Sequence, residues 1–432
     1  MRKGAPRGRS TAPRLGLGFV GVLIIGVNLR PAITSVGPLL GDIRTDLGLS
    51  GTAASVLMSI PILAFALAAP VAPVLARRLS IERTLWASLV LLAVGIVVRS
   101  LPVEPLLWVG TVALGIAIAF GNVVLPALVK RDYPRHVGQV TGAYIAVTSV
   151  AASLASGLAV PIAGQTSAGW RLALGVWVGL AVVAIAVFAP QIRHREERRE
   201  RPATSTQPTQ SDERPLWRSA LAWQVTAFMG LQSGLFYILL TWVPSMVQSF
   251  GNSAVAAGWH LFALQLIGVG ANLAVAALIP RLRDQRLLCL GATALIGVGL
   301  VGLLLAPSAA LLWMLFIGSG TGSSFVLALS LFGLRSHDHQ QAARLSGMGH
   351  LYGYLFTAAG PIVIGAVFDA TGSWTLPLVL LLGLVVLQGT AASLAGRNIT
   401  LGHPGSRTAS RSERRWCSST RCAHSGSASA DS

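Results

Sequence analysis

The sequence predicts an all-α membrane protein whose twelve transmembrane helices form two parallel six-helix halves. Three observations predict it: an apolar, charge-poor composition, twelve apolar runs of spanning length, and an internal repeat relating the first six runs to the last six. The 432-residue chain is 53% hydrophobic and 11% charged, with mean hydropathy +0.66, whereas soluble domains carry about 25% charged residues. These figures exclude a soluble globule and a disordered chain, and three Cys residues exclude a disulfide scaffold.

Apolar runs fall at about 15–40, 52–75, 84–101, 106–129, 138–162, 171–190, 219–249, 257–279, 287–306, 309–334, 345–367 and 374–395. A hydrocarbon core about 30 Å thick needs about 20 such residues per helix, so each run reads as a span. A basic arm before an apolar run also describes a signal peptide. Here the run continues past Arg30 to Leu40 without a small-residue cleavage site, so it reads as an uncleaved first helix.

A net charge of +18 would suggest nucleic-acid binding in a soluble chain. The positions of the 33 Lys and Arg residues say otherwise. Twenty-nine lie in the two tails and in alternate connections, three (Arg44, Arg99 and Arg171) on the opposite side, and Arg30 inside the first run. That asymmetry is the positive-inside rule and puts both termini in the cytoplasm, with no nucleic-acid partner expected.

The domain organisation follows: a cytoplasmic arm at 1–14, a six-helix half at 15–190, a cytoplasmic linker at 191–218, a second half at 219–396 and a tail at 397–432. The Ser- and Arg-rich tail and the second part of the linker have no face to bury and are expected to be disordered. At an offset near 204 residues, Asn28 aligns with Gln232, Arg77 with Arg281, Gly142 with Gly347 and Trp170 with Trp374. Two like-oriented halves joined by a long cytoplasmic linker resemble the parallel repeat of the major facilitator superfamily, in which solute binds between the halves near mid-membrane.

Arg30 is the candidate around which a site is built. It lies sixteen residues into its run, roughly 15 Å from the outer end at about 1.5 Å per residue. An arginine so placed raises the insertion free energy by about 2.5–3.5 kcal/mol and keeps its proton, so it must face the bundle interior and meet an anionic or strongly dipolar group. All fifteen acidic residues fall in loops, tails or ends of runs; the nearest in sequence, Asp42, is about 18 Å along the axis. The cation is expected to await a small anion or a compact polar solute. The alternative is structural solvation by water and by carbonyls freed at Pro31 and Pro38.

Other polar groups within the runs are Asn28, Asn122, Tyr144, Gln232, Tyr237, Gln265, Asn272, His350 and Tyr354. Gln265 and Asn272 share one helical face, and Ser346, His350 and Tyr354 share another at i, i+4 and i+8. These faces could line a passage; interhelical hydrogen bonding, worth about 0.6 kcal/mol on average, is the competing use. His350 is the central group whose ordinary pKa lies near neutrality, hence the proton-coupling candidate. Abundant glycine reads as close helix packing. Gly318-Ser319-Gly320-Thr321-Gly322 lacks the Lys-Ser/Thr of a phosphate-binding loop. Cys289 reads as a small apolar residue, and Cys417 and Cys422 lack zinc-site spacing. No cofactor or metal is expected.

Four stretches carry a more specific resemblance. Asn28-Leu29-Arg30-Pro31-Ala32-Ile33-Thr34-Ser35-Val36-Gly37-Pro38, followed by Asp46-Leu47-Gly48-Leu49-Ser50, is the first. Gly121-Asn122-Val123-Val124-Leu125-Pro126 and Trp223-Gln224-Val225-Thr226 with Met229 to Ser233 and Phe236-Tyr237 are the second and third. Leu345-Ser346-Gly347-Met348, Gly353-Tyr354 and Phe368-Asp369-Ala370-Thr371-Gly372-Ser373-Trp374 make the fourth. Together they resemble the CynX/NimT group of cyanate and 2-nitroimidazole transporters. The resemblance implies a carrier of small anionic or polar solutes, with Arg30, Asn28, Asn122 and Gln232 as matching contacts. Thr321 and His350 depart from that pattern, where Gln is usual, and Arg77 takes the acidic position of the superfamily motif after the second run.

The expectation is therefore a monomeric secondary carrier in the cytoplasmic membrane, moving an anionic or polar solute by alternating access. Its binding residues would be Arg30, Asn28, Asn122, Gln232, Tyr237, Gln265, His350 and Tyr354. A proton-coupled multidrug exporter would lean on an intramembrane carboxylate that the runs lack. A non-transporting sensor would need an output domain, and an enzyme would need a nucleophile, metal ligands or paired carboxylates at one depth.

Overall fold

The computed structural model describes residues 12–196, 216–282 and 284–401, so the expected disorder in the linker and tail lies outside the described residues. Among the described residues every regular element is a helix. Twelve helices among the described residues are long and apolar enough to cross a membrane: Gly18–Leu47, Gly51–Ala68, Ile81–Ser100, Glu104–Asp132, Val137–Ala163, Trp170–Ala189, Ala220–Ser249, Ala254–Arg281, Arg286–Leu305, Pro307–Leu334, Gln340–Thr371 and Thr375–Ala395. They are called the first to twelfth spans in chain order. An even number of crossings puts Gly18 and Ala395, the outer ends of the first and twelfth spans, on one face of the bundle; the opposite face is called distal. The first span runs to Leu47, beyond the residue-40 end expected from apolarity, so Asp42, Arg44 and Asp46 stand on its last turns.

Local signals set the helix boundaries. Ser50, Ser219 and Ser253 each accept the backbone N–H three residues on, and Asp338 accepts that of Gln341. Each satisfies one of the four N–H groups that a helix start leaves unpaired. Gly48 and Gly372 turn the chain out of the first and eleventh spans with φ of 62°, where a side chain would be strained.

The repeat is visible in matching ties. At the end of the fourth span Arg131 donates to Glu82 at the start of the third, at 2.5 Å. At the end of the tenth, Arg335 donates to Gln285 at the start of the ninth, at 2.6 Å. Arg335 is buried and also donates to the Ala395 and Gly396 carbonyls at the end of the twelfth span.

The two halves meet at the distal end through pairs of spans, and small residues let them approach. Gly258 of the eighth span lies against the Ser156 carbonyl of the fifth, and Gly37 of the first against the Leu240 carbonyl of the seventh. A Cβ at Gly37 would sit 2.5 Å from that carbonyl oxygen, a distance only backbone movement relieves. Gly37→Val is therefore expected to hold the distal ends apart. Spin labels at Thr45 and Leu376, both exposed, measure it: the distance distribution should gain a longer component relative to the parent protein, and an unchanged distribution would refute the close approach.

Candidate functional site

The first span is interrupted at its middle. Leu29 bonds back to Gly26, three residues earlier, and Arg30 leaves the helical track at φ −129°, ψ −34° before Pro31 restarts the helix. Proline explains the restart: it has no N–H to donate and its fixed φ suits a first helical turn. Neighbouring helices clamp the interruption through its carbonyls. Thr148 donates to Gly26 at 2.8 Å, Ser156 to Thr34 at 3.0 Å, and Arg99 to Ala32 at 2.7 Å. Thr34 in turn donates to Ala152 at 3.0 Å.

Arg30 projects from this clamped break toward rings of the other half. Its guanidinium carbon lies over the Phe236 ring at 5.7 Å and the Phe325 ring at 5.9 Å. Among the described residues the guanidinium forms no ion pair and no hydrogen bond. Cation–π attraction worth about 0.5–2 kcal/mol per ring offsets part of its desolvation. Ring faces are not hydrogen-bond acceptors of the ordinary kind, so the N–H donors of the fork are left for another acceptor.

The rings continue into a connected cluster from both halves. Phe236 meets Tyr237 edge-on at 5.4 Å, Tyr237 meets Tyr354 at 6.5 Å, and Tyr354 meets Phe65 of the second span at 4.8 Å. His350 lies 5.5 Å from Tyr354 and 5.6 Å from Phe332. Tyr354 is within electrostatic range of both Arg30 and Tyr237. The His350 Nδ1 pairs with the Ser346 carbonyl at 2.8 Å. The same Nδ1 lies 3.2 Å from the Ser346 hydroxyl.

The structure thus brings together Arg30, Tyr237, His350 and Tyr354. The other candidates are placed differently. Asn28 is buried and spends its amide hydrogens on the Ile24 carbonyl at 2.8 Å and the Leu180 carbonyl of the sixth span at 3.2 Å. Gln232 is buried and donates to Ser233 at 2.7 Å and to the Met229 sulfur at 3.4 Å. Gln265 crosses between the halves, donating to Ser156 at 2.7 Å. Asn122 is exposed and donates to the carbonyl of Ile118 at 2.9 Å.

Three features were not read from the sequence. Phe65, Phe236, Phe325 and Phe332 are indistinguishable by composition from lipid-facing rings; the i, i+7 spacing of the last two was the available signal. Arg99, placed above on the distal side, stands at the distal end of the third span with its side chain 1% exposed and turned into the bundle. The third is a tie across the distal end. Asp369, on the last turn of the eleventh span, accepts the backbone N–H groups of Gly51 and Thr52 at 2.9 and 2.8 Å and the Thr52 hydroxyl at 3.0 Å. Arg44 of the first span lies 3.7 Å from the same carboxylate.

A polar, ring-lined centre between two six-helix halves suits a solute carrier, and comparison with known proteins decides the family. Residues 22–361 match the family model described as Major Facilitator Superfamily. The chain belongs to that superfamily. It is 43% identical over 382 residues to an uncharacterized transporter, YycB, of Bacillus subtilis, covering 88% of this chain and 93% of the relative. It is 38% identical over 380 residues to the 2-nitroimidazole transporter of Escherichia coli, covering 88% and 95%. Identity to the cyanate transport protein CynX of Escherichia coli is 28% over 372 residues, covering 85% and 94%. A solved bacterial homolog of the human lysosomal transporter Spinster, inward-facing and occupied, superposes with TM-score 0.71 at 14% identity, over 90% of this chain and 97% of that one. Family and relatives are transporters, and this superfamily member is a multi-pass transporter rather than an enzyme.

Proposed function

We propose that the protein is a secondary carrier that moves a small anionic or strongly polar solute across the cytoplasmic membrane, with both termini inside. The observation that carries this reading is the Arg30 guanidinium, which stands between the halves without a protein counter-ion among the described residues. A permanent cation at membrane depth is stabilised by whatever anionic or dipolar group can reach it. The solute supplies that group, and Tyr237, Tyr354 and His350 offer further hydrogen-bonding atoms. The rings favour a flat solute, as a nitroimidazole is. Asn122 is a further contact in another conformation; Asn28 and Gln265 brace the helices around the site, while Gln232 bonds within its own helix. The names of the relatives support cyanate-like or nitroimidazole-like chemistry.

Alternating access follows from the placement of the ties. The distal end is held by Asp369 and by the Gln265–Ser156 bond, both of which join opposite halves and must break when that end opens. An exporter of lipophilic cations is disfavoured, because Arg30 repels the cargo.

The test is uptake by proteoliposomes of cyanate, nitrate and 2-nitroimidazole, with and without an imposed pH gradient. Saturable accumulation of at least one of them is expected. Accumulation of tetraphenylphosphonium and none of these solutes would replace the reading with the exporter.

A further inference from the structure

We infer that Arg99 is a positioning residue for solute binding, because its guanidinium holds the interruption of the first span from which Arg30 projects. The inference rests on the reading of Arg30 as the solute contact.

Arg99 is the penultimate residue of the third span, yet its side chain turns inward and is 1% exposed. Nη1 donates to the Ala32 carbonyl at 2.7 Å, two residues beyond Arg30. Nη2 reaches the Leu174 carbonyl at 3.5 Å. Leu174 belongs to the short helix Trp170–Gly175, after which the sixth span is itself interrupted before the helix resumes at Val178. One planar fork therefore links two broken helices, which a point charge on a flexible stem does less well.

The origin of the fork is fixed as firmly as its target. Gly110 of the fourth span packs on the Arg99 backbone so closely that a Cβ there would lie 2.5 Å from the Arg99 nitrogen. Arg99 lines a small, mainly apolar cavity with Ile33, Val36, Met58, Leu107, Leu174 and the hydroxyl-bearing Thr111, and Nε is buried without a partner. Among the described residues no carboxylate pairs with it. A buried charge balanced only by carbonyls is poor value for stability, since an apolar residue of equal volume avoids the desolvation; it does specify one backbone geometry. The other side chains that clamp the break, Asn28, Thr34, Thr148 and Ser156, are neutral. Arg99 alone among these ties it to the third and fourth spans. The function served is the placement of the Arg30 fork, since shifts near 1 Å at a binding group are enough to lose about a hundredfold in rate or affinity.

The test compares Arg99→Met, Arg99→Lys and Arg30→Gln in proteoliposomes, using 2-nitroimidazole uptake and backbone hydrogen exchange over residues 24–36 read by mass spectrometry. In folded Arg99→Met, KM should rise about tenfold with Vmax within about twofold, and the 24–36 amides should exchange faster. Arg99→Lys can reach Ala32 but cannot hold both carbonyls with one planar fork, so it should recover only part of both. Arg30→Gln should lose affinity with exchange unchanged. A wild-type KM or unchanged exchange in Arg99→Met overturns the inference, as does a fall in Vmax and melting temperature with KM unmoved. If Arg99→Met does not fold, Arg99→Gln carries the same criteria. Wild-type affinity in Arg30→Gln would remove the site reading itself, and the exchange readout would still report on Arg99 separately.

Discussion

Replacing Arg30 by Gln is expected to weaken solute binding by one to two orders of magnitude while leaving the melting temperature unchanged or higher. The two halves of that expectation have different sources. A hydrogen bond to a charged group contributes about 1.5–3 kcal/mol, and each 1.4 kcal/mol is about tenfold in affinity. The same cation raises the insertion free energy by about 2.5–3.5 kcal/mol at membrane depth, and among the described residues no protein group is left unpaired when it goes. Arg30→Lys keeps the charge but not the bidentate fork, so it should recover affinity only partly. Equilibrium binding to purified protein, beside a thermal melt, checks both. Loss of stability with retained affinity would identify Arg30 as a structural cation held by the Phe236 and Phe325 rings.

Replacing Asp369 by Asn should open the distal end. The carboxylate of one half caps the first turn of the second span in the other, satisfying two N–H groups that the helix cannot bond itself and opposing the positive end of its dipole. Asn keeps one acceptor oxygen and no charge. At about 1.5–3 kcal/mol for each charge-assisted bond, losing the greater part of the tie shifts the ratio of closed to open forms by about tenfold or more. The Thr45 and Leu376 labels should report a new longer-distance population, and solute affinity at Arg30 should change far less than in Arg30→Gln. An unaltered distance distribution would mean that the packing of Gly37 and Gly258 and the Gln265–Ser156 bond keep this end shut without Asp369.

The fold was legible because lipid imposes it. Helices that satisfy their own backbone are required wherever no water is present, so apolar run length alone placed twelve spans, and the 204-residue offset related the halves through Arg77 and Arg281 and through Trp170 and Trp374; the Arg131 and Arg335 ties at the same offset became visible only in the structure. The first span was cut short at residue 40 because Asp42, Arg44 and Asp46 end its apolarity without ending its helix. At the site, Arg30 stood out since a charge in an apolar run needs explaining, and the His350–Tyr354 face followed from helical spacing. The rings around it did not, since phenylalanine looks the same facing lipid or solute. Nor did the roles of Asn28 and Gln265, whose amide partners are carbonyls and hydroxyls on other helices that no local pattern encodes. The inward turn of Arg99 was not legible for a related reason: at the end of an apolar run an arginine facing inward and one facing water read alike.

A structure with bound solute tests the central claim most directly. With 2-nitroimidazole, or whichever solute the proteoliposomes accumulate, an acceptor atom should lie within about 3.2 Å of an Arg30 guanidinium nitrogen, with the solute beside Tyr237 and Tyr354. Solute density elsewhere in the bundle, with Arg30 engaged by a carboxylate of the protein, would contradict the account.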